Sequence, residues 1–175
     1  MRKCKTCGER YEPTRPIQTA CSLPCAIIQA TQKRLAADAK AHRAAKLRLK
    51  SRAQWMKEAQ AAFNRFIRAR DAGRPCISCG RMHDGQIHAG HYLSTGARPE
   101  LRFDEKNCHA QCAPCNTHLS GNLVLYRAGI IERIGIEAVE SLEGPHEPMK
   151  YTIAELTEIK ARYGRLVRKL TSALA

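Results

Sequence analysis

Apolar residues recur at helical spacing in two stretches of the chain. Trp55, Ala59, Ala62, Phe63, Phe66 and Ile67 fall on one stripe, and Ile153, Leu156, Ile159, Tyr163, Leu166, Val167 and Leu170 on another. Each stretch should be a helix with one buried face. Thr152 followed by Glu155 gives the second stretch a capping-box start. From Ala26 to Arg70 there is no Gly or Pro, and Ala, Lys, Arg, Gln and Leu dominate, which predicts one long helix or two. The first half of that stretch has mostly Ala where a stripe would need Leu, so it has little with which to pack. Between Gly73 and Gly121 the periodicity gives way to turn residues, short strands around Gln86 to Tyr92 and Leu101 to Phe103, and a density of His and Cys. Leu123 to Ile136 and Ile136 to Leu142 read as helical, before Gly144, Pro145 and Pro148 break the chain. These changes of texture divide an α+β chain into residues 1–25, 26–72, 73–143 and 144–175.

Charge narrows the class of partner. Thirty Lys and Arg stand against sixteen Asp and Glu, a formal net charge of +14 on 175 residues. That excess points to a polyanion, nucleic acid before an anionic membrane. No run approaches eighteen apolar residues, and Met1 to Cys7 has no apolar segment behind its charges, so a cytosolic protein with no membrane partner is expected. Most of the charge lies between Ala26 and Arg70, where twelve Lys and Arg oppose only Asp38 and Glu58. We expect this basic arm to contact DNA, with chain pairing near Trp55 to Ile67.

Nine cysteines in a chain expected to be cytosolic read as metal ligands rather than disulfides. Eight of them form close pairs: Cys4 with Cys7, Cys21 with Cys25, Cys76 with Cys79, and Cys112 with Cys115. Two tetrahedral all-thiolate sites follow, about two structural Zn²⁺ per chain. Residues 1–25 are too few to bury a core, so Cys4, Cys7, Cys21 and Cys25 would supply most of that module's folding free energy. In the second set, four Cys leave zinc no open position, so any catalysis falls to residues inside the insert between the pairs.

That insert carries His91 after the first expected strand and Asn107 five residues before Cys112, and Asn116 directly follows Cys115. In this the chain resembles the HNH endonucleases. The resemblance implies a zinc-stabilised, treble-clef-like ββα-metal core with His91 as general base, Asn107 as the loop Asn and Asn116 as the third position, an HNN variant. The strings Gly90-His91-Tyr92, Asn107 to Asn116 and Ser120-Gly121-Asn122, with the basic helix and the Tyr151-Thr152 helix, are also similar to the NinG, or Rap, family of phage recombination proteins. That resemblance spans the whole chain. It implies structure-specific cleavage of branched DNA such as Holliday junctions and D-loops, in the host cytoplasm.

One position departs from the superfamily pattern. The residue before the base is commonly an Asp or His that ligates the catalytic ion, and here it is Gly90. The ligands of a catalytic Mg²⁺ or Mn²⁺ are therefore open, with His88, His118 and Asn122 as candidates. His109 or Asp104 could hold His91 in its tautomer through Nδ1, and Arg98 and Arg102 could clamp phosphate oxygens. Cys108, the odd cysteine, takes an apolar position of the superfamily pattern and should be buried. Two nicks across a junction from one His-Asn-Asn set imply a homodimer. Two rivals remain: a non-catalytic double zinc finger that binds nucleic acid, and an HNH nicking or homing enzyme acting on linear duplex.

Overall fold

Serines set where the basic stretch becomes helix. The structure is a computed structural model, and it describes residues 1–172. Ser22 caps helix α1 (Leu23–Arg48), its side chain accepting from Cys25 N. Ser51 caps helix α2 (Arg52–Arg70) in a full capping box with Gln54. The Gly-free stretch is thus two helices, and the chain divides into two compact units after Lys50.

In the first unit, strands β1 (Arg2–Lys3) and β2 (Arg10–Tyr11) pair antiparallel around a turn. α1 follows with no buried residue, as its lack of an apolar stripe requires.

The second unit, from Ser51 onward, is built around strands β3 (Ile87–His91) and β4 (Cys108–Cys112). They pair antiparallel, with His88 opposite Gln111, Gly90 opposite His109 and His91 opposite Cys108. The strand expected at Leu101 to Phe103 is absent. A short 3-10 turn, Pro99–Leu101, stands there, and the Leu101, Arg102 and Asp104 amides donate to the carbonyls three residues back, which leaves them unavailable to a ladder. Every residue of β4 is buried. Helices α3 (Leu123–Ile134) and α4 (Ile136–Glu143) cover the cluster of Ile77, Tyr92, Leu101, Tyr126, Ile130, Val139 and Leu142. Gly129 permits the approach, since a Cβ there would lie 2.0 Å from Ile77 O.

Helix α5 (Ile153–Ser172) starts at the expected capping box, Thr152 N donating to Glu155 Oε2 at 2.7 Å. It runs parallel to α2: Trp55 and Ala59 pack with Leu156, and Phe63, Phe66 and Ile67 with Tyr163. The α2 stripe expected to pair two chains is therefore covered by α5 of the same chain. Within residues 144–175, only the last three positions lie outside the described residues. No described helix is long and apolar enough to cross a membrane.

A buried ion pair ties α2 to the sheet. Asp71, 2% exposed, accepts from Arg70 at 2.9 and 2.8 Å and from Ala110 N at 2.9 Å. Arg70 also donates to the Glu105 and Cys108 carbonyls, both at 2.8 Å. Burial alone would raise the Asp71 pKa, but Arg70 and the Ala110 N–H outweigh it and hold the carboxyl below its ordinary value. Removing one partner of such a pair leaves a buried charge uncompensated. Asp71→Ala should therefore cost about 3–5 kcal/mol in denaturant unfolding; a loss below about 1 kcal/mol would show that the clasp is dispensable.

Candidate metal centres and active site

The two cysteine sets close in the same way. After the first pair, Gly8 N donates to Cys4 O at 3.0 Å and Cys4 N to Glu9 O at 2.8 Å. After the third, Gly80 N donates to Cys76 O at 2.9 Å and Cys76 N to Arg81 O at 3.0 Å. Both glycines have φ in the left-handed region, +79° and +66°, which a side chain would resist. The second half of each set comes from a different context: Cys21 and Cys25 flank the start of α1, whereas Cys112 ends β4 and Cys115 lies in a π-helical turn, Pro114–His118.

All nine cysteines are free. In each set of four, the sulfurs lie within 4.8 Å of one another. Four thiolates around zinc at about 2.3 Å would sit about 3.8 Å apart, and the contacts Cys7 to Cys21, Cys21 to Cys25 and Cys79 to Cys112 are 3.5, 3.7 and 4.0 Å. Both clusters could therefore hold structural zinc. Backbone donors prepare the sulfurs: Cys21 N points at Cys4 Sγ and Cys112 N at Cys76 Sγ, each at 3.4 Å. The Cys4 thiol is lowered to about 5, chiefly by the Cys7 N–H. Burial opposes ionisation of Cys76, yet the Cys79, Cys112 and Ser78 N–H groups bring it to about 7. Cys108 is fully buried, as expected, and burial pushes its thiol up, so it stays protonated.

Two partners of the second cluster were not legible from spacing. His83 Nε2 lies 3.3 Å from Cys79 Sγ, and Asn122 Nδ2 donates to Cys115 Sγ at 3.4 Å. Asn122, a candidate ion ligand, thus addresses the cysteine cluster. His118 is exposed at the end of the π-helical turn, and its ring makes no hydrogen bond among the described residues.

His91 ends β3, with Nε2 2.9 Å from the Arg102 carbonyl. A carbonyl only accepts, so Nε2 carries the hydrogen and Nδ1 the lone pair. Cys108 Sγ is 3.7 Å from Nδ1, and the Phe63 ring lies 5.9 Å away. Burial pushes the His91 pKa below its ordinary value, which outweighs the bond to Arg102 O. The tautomer is set by Arg102 O, not by His109 or Asp104. His109 faces the Tyr126 hydroxyl at 3.5 Å, and Asp104 accepts from Lys106 N at 2.7 Å. The register explains this, since His109 stands opposite Gly90 and so belongs to the other face of the hairpin.

Asn107 is fully buried. Its Oδ1 accepts from Leu93 N at 2.8 Å, and its Nδ2 donates to the Leu93 and Leu101 carbonyls at 2.9 and 3.2 Å. The loop after His91 is thereby stapled to the start of β4. Arg98 and Arg102 are also internal ties rather than free clamps. Arg98 bonds Glu100 and the Gly144 carbonyl, and Arg102 bonds Gln60 and the Thr95 carbonyl.

Asn116 Nδ2 is 2.9 Å from His88 Nδ1. The two line a polar cleft of about 450 Å³ with Asn64, Arg68 and Gln86. The structure thus joins His88 with Asn116 and does not include His91 in that lining. On the same unit, a groove of about 680 Å³ runs between α2 and α5, floored by Ala61, Ala62, Ala161 and Gly164. Arg65, Arg165 and Arg168 border it, exposed and without an ion pair among the described residues. Arg68 follows Arg65 one turn along α2, so the groove's basic edge continues to the cleft.

Comparison with known proteins gives a single family. Protein ninG of Salmonella phage P22 is 43% identical over 189 residues, covering 97% of this chain and 93% of the relative. Protein ninG of Escherichia phage lambda is 42% identical over 192 residues, covering 98% and 94%. Protein ninG of Escherichia phage 933W is 42% identical over 190 residues, covering 98% and 94%. No solved structure matches. The family described as Bacteriophage Lambda NinG protein matches residues 1–172, and the chain belongs to the NinG family.

Proposed function

We propose that the chain is a metal-dependent endonuclease of branched DNA, with a zinc-stapled ββα core of the HNH kind. The observation that carries this reading is the bond from His91 Nε2 to the Arg102 carbonyl. It leaves the lone pair on Nδ1, which in this structure faces the Cys108 thiol at 3.7 Å, and burial favours the neutral ring. A water that takes the thiol's place at Nδ1 would give up its proton there as it attacks a phosphodiester. Asn107 holds the loop behind it and has no proton to trade. Asn116 presents an amide oxygen beside the cleft, and its donor set suits Mg²⁺ or Mn²⁺ rather than zinc. The chemistry such an ion supplies when bound is neutralisation of charge on the reacting phosphate. The two all-cysteine clusters, by contrast, suit structural zinc.

The groove between α2 and α5 supports a DNA partner. Its small floor lets a sugar-phosphate strand approach, and its arginines lie on the path to the cleft. Replacing Arg65, Arg165 and Arg168 together by Ala should lower the log-log salt slope of junction binding by about 2 to 3, at about 0.9 per phosphate. An unchanged slope removes the groove from the DNA path. Two symmetric nicks need two copies of the site, so the active species on a junction is a pair of chains.

The deciding experiment compares Mg²⁺-dependent cleavage of a four-way junction with that of a matched linear duplex. Preferential junction cleavage supports the reading; equal cutting favours a duplex-nicking enzyme, and binding without cutting favours a zinc-finger binding protein. A second histidine is favoured by one observation, its place in the cleft, so His88→Ala belongs in the same assay. With His91 as base, that variant should still cut.

A further inference from the structure

Gln111 is fully buried in the middle of β4. Its Nε2 donates to Ser78 Oγ at 2.7 Å and to the Gly121 carbonyl at 2.6 Å. These bonds fix the amide orientation, and they leave Oε1 as a buried acceptor with no partner. A buried acceptor left unpaired is costly, so such atoms normally mark a water or an ion. Asn116 is oriented likewise: its Nδ2 faces His88, which turns Oδ1 the other way.

Both oxygens crowd the same point. A Cβ built on Gly90 would lie 2.2 Å from Gln111 Oε1 and 3.1 Å from Asn116 Oδ1. Gly90 is thus the residue that makes room for them, and no acidic side chain could enter at position 90 without displacing Gln111.

We propose that Gln111 Oε1 and Asn116 Oδ1 jointly ligate the divalent ion, Gln111 delivering from β4 the oxygen that Gly90 cannot. The choice of a catalytic ion as the occupant rests on the nuclease reading above. Two neutral amide oxygens suit a hard cation such as Mg²⁺ or Mn²⁺ over zinc, whose preferred thiolates are already gathered in the neighbouring cluster. With no carboxylate in the set, binding is weak until a DNA phosphate adds its charge.

The test uses the full-length, zinc-loaded protein without DNA. Mn²⁺ is titrated in while broadening of the backbone amide NMR signals is followed. Gln111→Leu would also cut the bonds to Ser78 and Gly121, so Asn116→Ala and Gly90→Ala are the working variants. The first removes one ligand at a half-exposed position; the second forces Gln111 Oε1 out of place. In the wild type, the amides of Gly90, Gln111 and Asn116 should broaden at the lowest Mn²⁺. Each variant should raise the Mn²⁺ needed by about tenfold or more, with zinc content unchanged. Broadening that begins elsewhere, or that is the same in all three proteins, overturns the proposal and leaves the two oxygens to a water molecule. Since no cleavage is read, an inactive protein that binds Mn²⁺ here contradicts only the nuclease reading, and an active one that does not contradicts only this site.

Discussion

Cys79→Ser or Cys112→Ser is expected to unfold the unit from Ser51 onward, not merely to loosen a contact. The four sulfurs of this cluster tie the knuckle at Cys76 and Cys79 to the end of β4 at Cys112 and to the π-helical turn at Cys115. Structural zinc contributes on the order of 10 kcal/mol to folding, and a domain's whole stability is about 5–15 kcal/mol. Losing the ion therefore exceeds the margin of most domains. Zinc content and circular dichroism read the result together: the wild type should carry two zinc ions, and either variant should lose one ion and the helical signal of α2 to α5, while that of α1 in the first unit remains. A variant that keeps a wild-type melting curve would show that packing alone maintains the fold. Cys108→Ala is the control. Its thiol stays protonated and belongs to the cluster of Phe63, Phe66 and Tyr163, so its removal should cost only a small cavity, about 1 kcal/mol, with both zinc ions retained.

His91→Ala should lower the rate of junction cleavage by about 10²- to 10⁴-fold or more, the usual cost of losing a general base. DNA affinity and zinc content should hold, because the ring's partners, the Arg102 carbonyl and the Cys108 thiol, belong to neither four-cysteine cluster. The pH profile gives a second readout. With His91 as the proposed base, the active form would be the neutral ring, and burial sets its pKa below the ordinary 6.5. The wild-type rate should stay level as pH falls to about 6.5 and decline only at lower pH. In the variant that acid limb should vanish along with most of the rate.

How much of this was legible in the sequence depends on the range of the forces involved. The α2 and α5 stripes, the Thr152 capping box and the cysteine pairs are local patterns, and each appears where the chain's spacing puts it. What the Trp55 to Ile67 stripe would meet was not local; it packs on α5, about a hundred residues on, rather than on a second chain. The second strand was misplaced because Leu101 to Phe103 offered apolar residues, whereas β4 spells Cys-His-Ala-Gln-Cys, a string that reads as site rather than as strand. Its strand character comes from burial on both sides.

In the candidate site, Asn107 has the stapling role that an amide without a titratable proton suggests. The Arg102 carbonyl at His91, the Asp71 clasp and the Gln111 oxygen could not be read from residue types. A backbone carbonyl leaves no mark in a sequence, and the other two depend on which residues β3 and β4 set face to face.

The central claim is that this chain cuts DNA. Its most direct test is strand nicking of a synthetic four-way junction by the full-length protein, carrying two zinc ions and supplied with Mg²⁺. The account predicts paired nicks near the branch point, dependent on the added Mg²⁺ and lost in His91→Ala at unchanged junction binding. Tight junction binding with no nick at any Mg²⁺ or Mn²⁺ concentration would contradict it and leave a zinc-stabilised DNA-binding protein in its place.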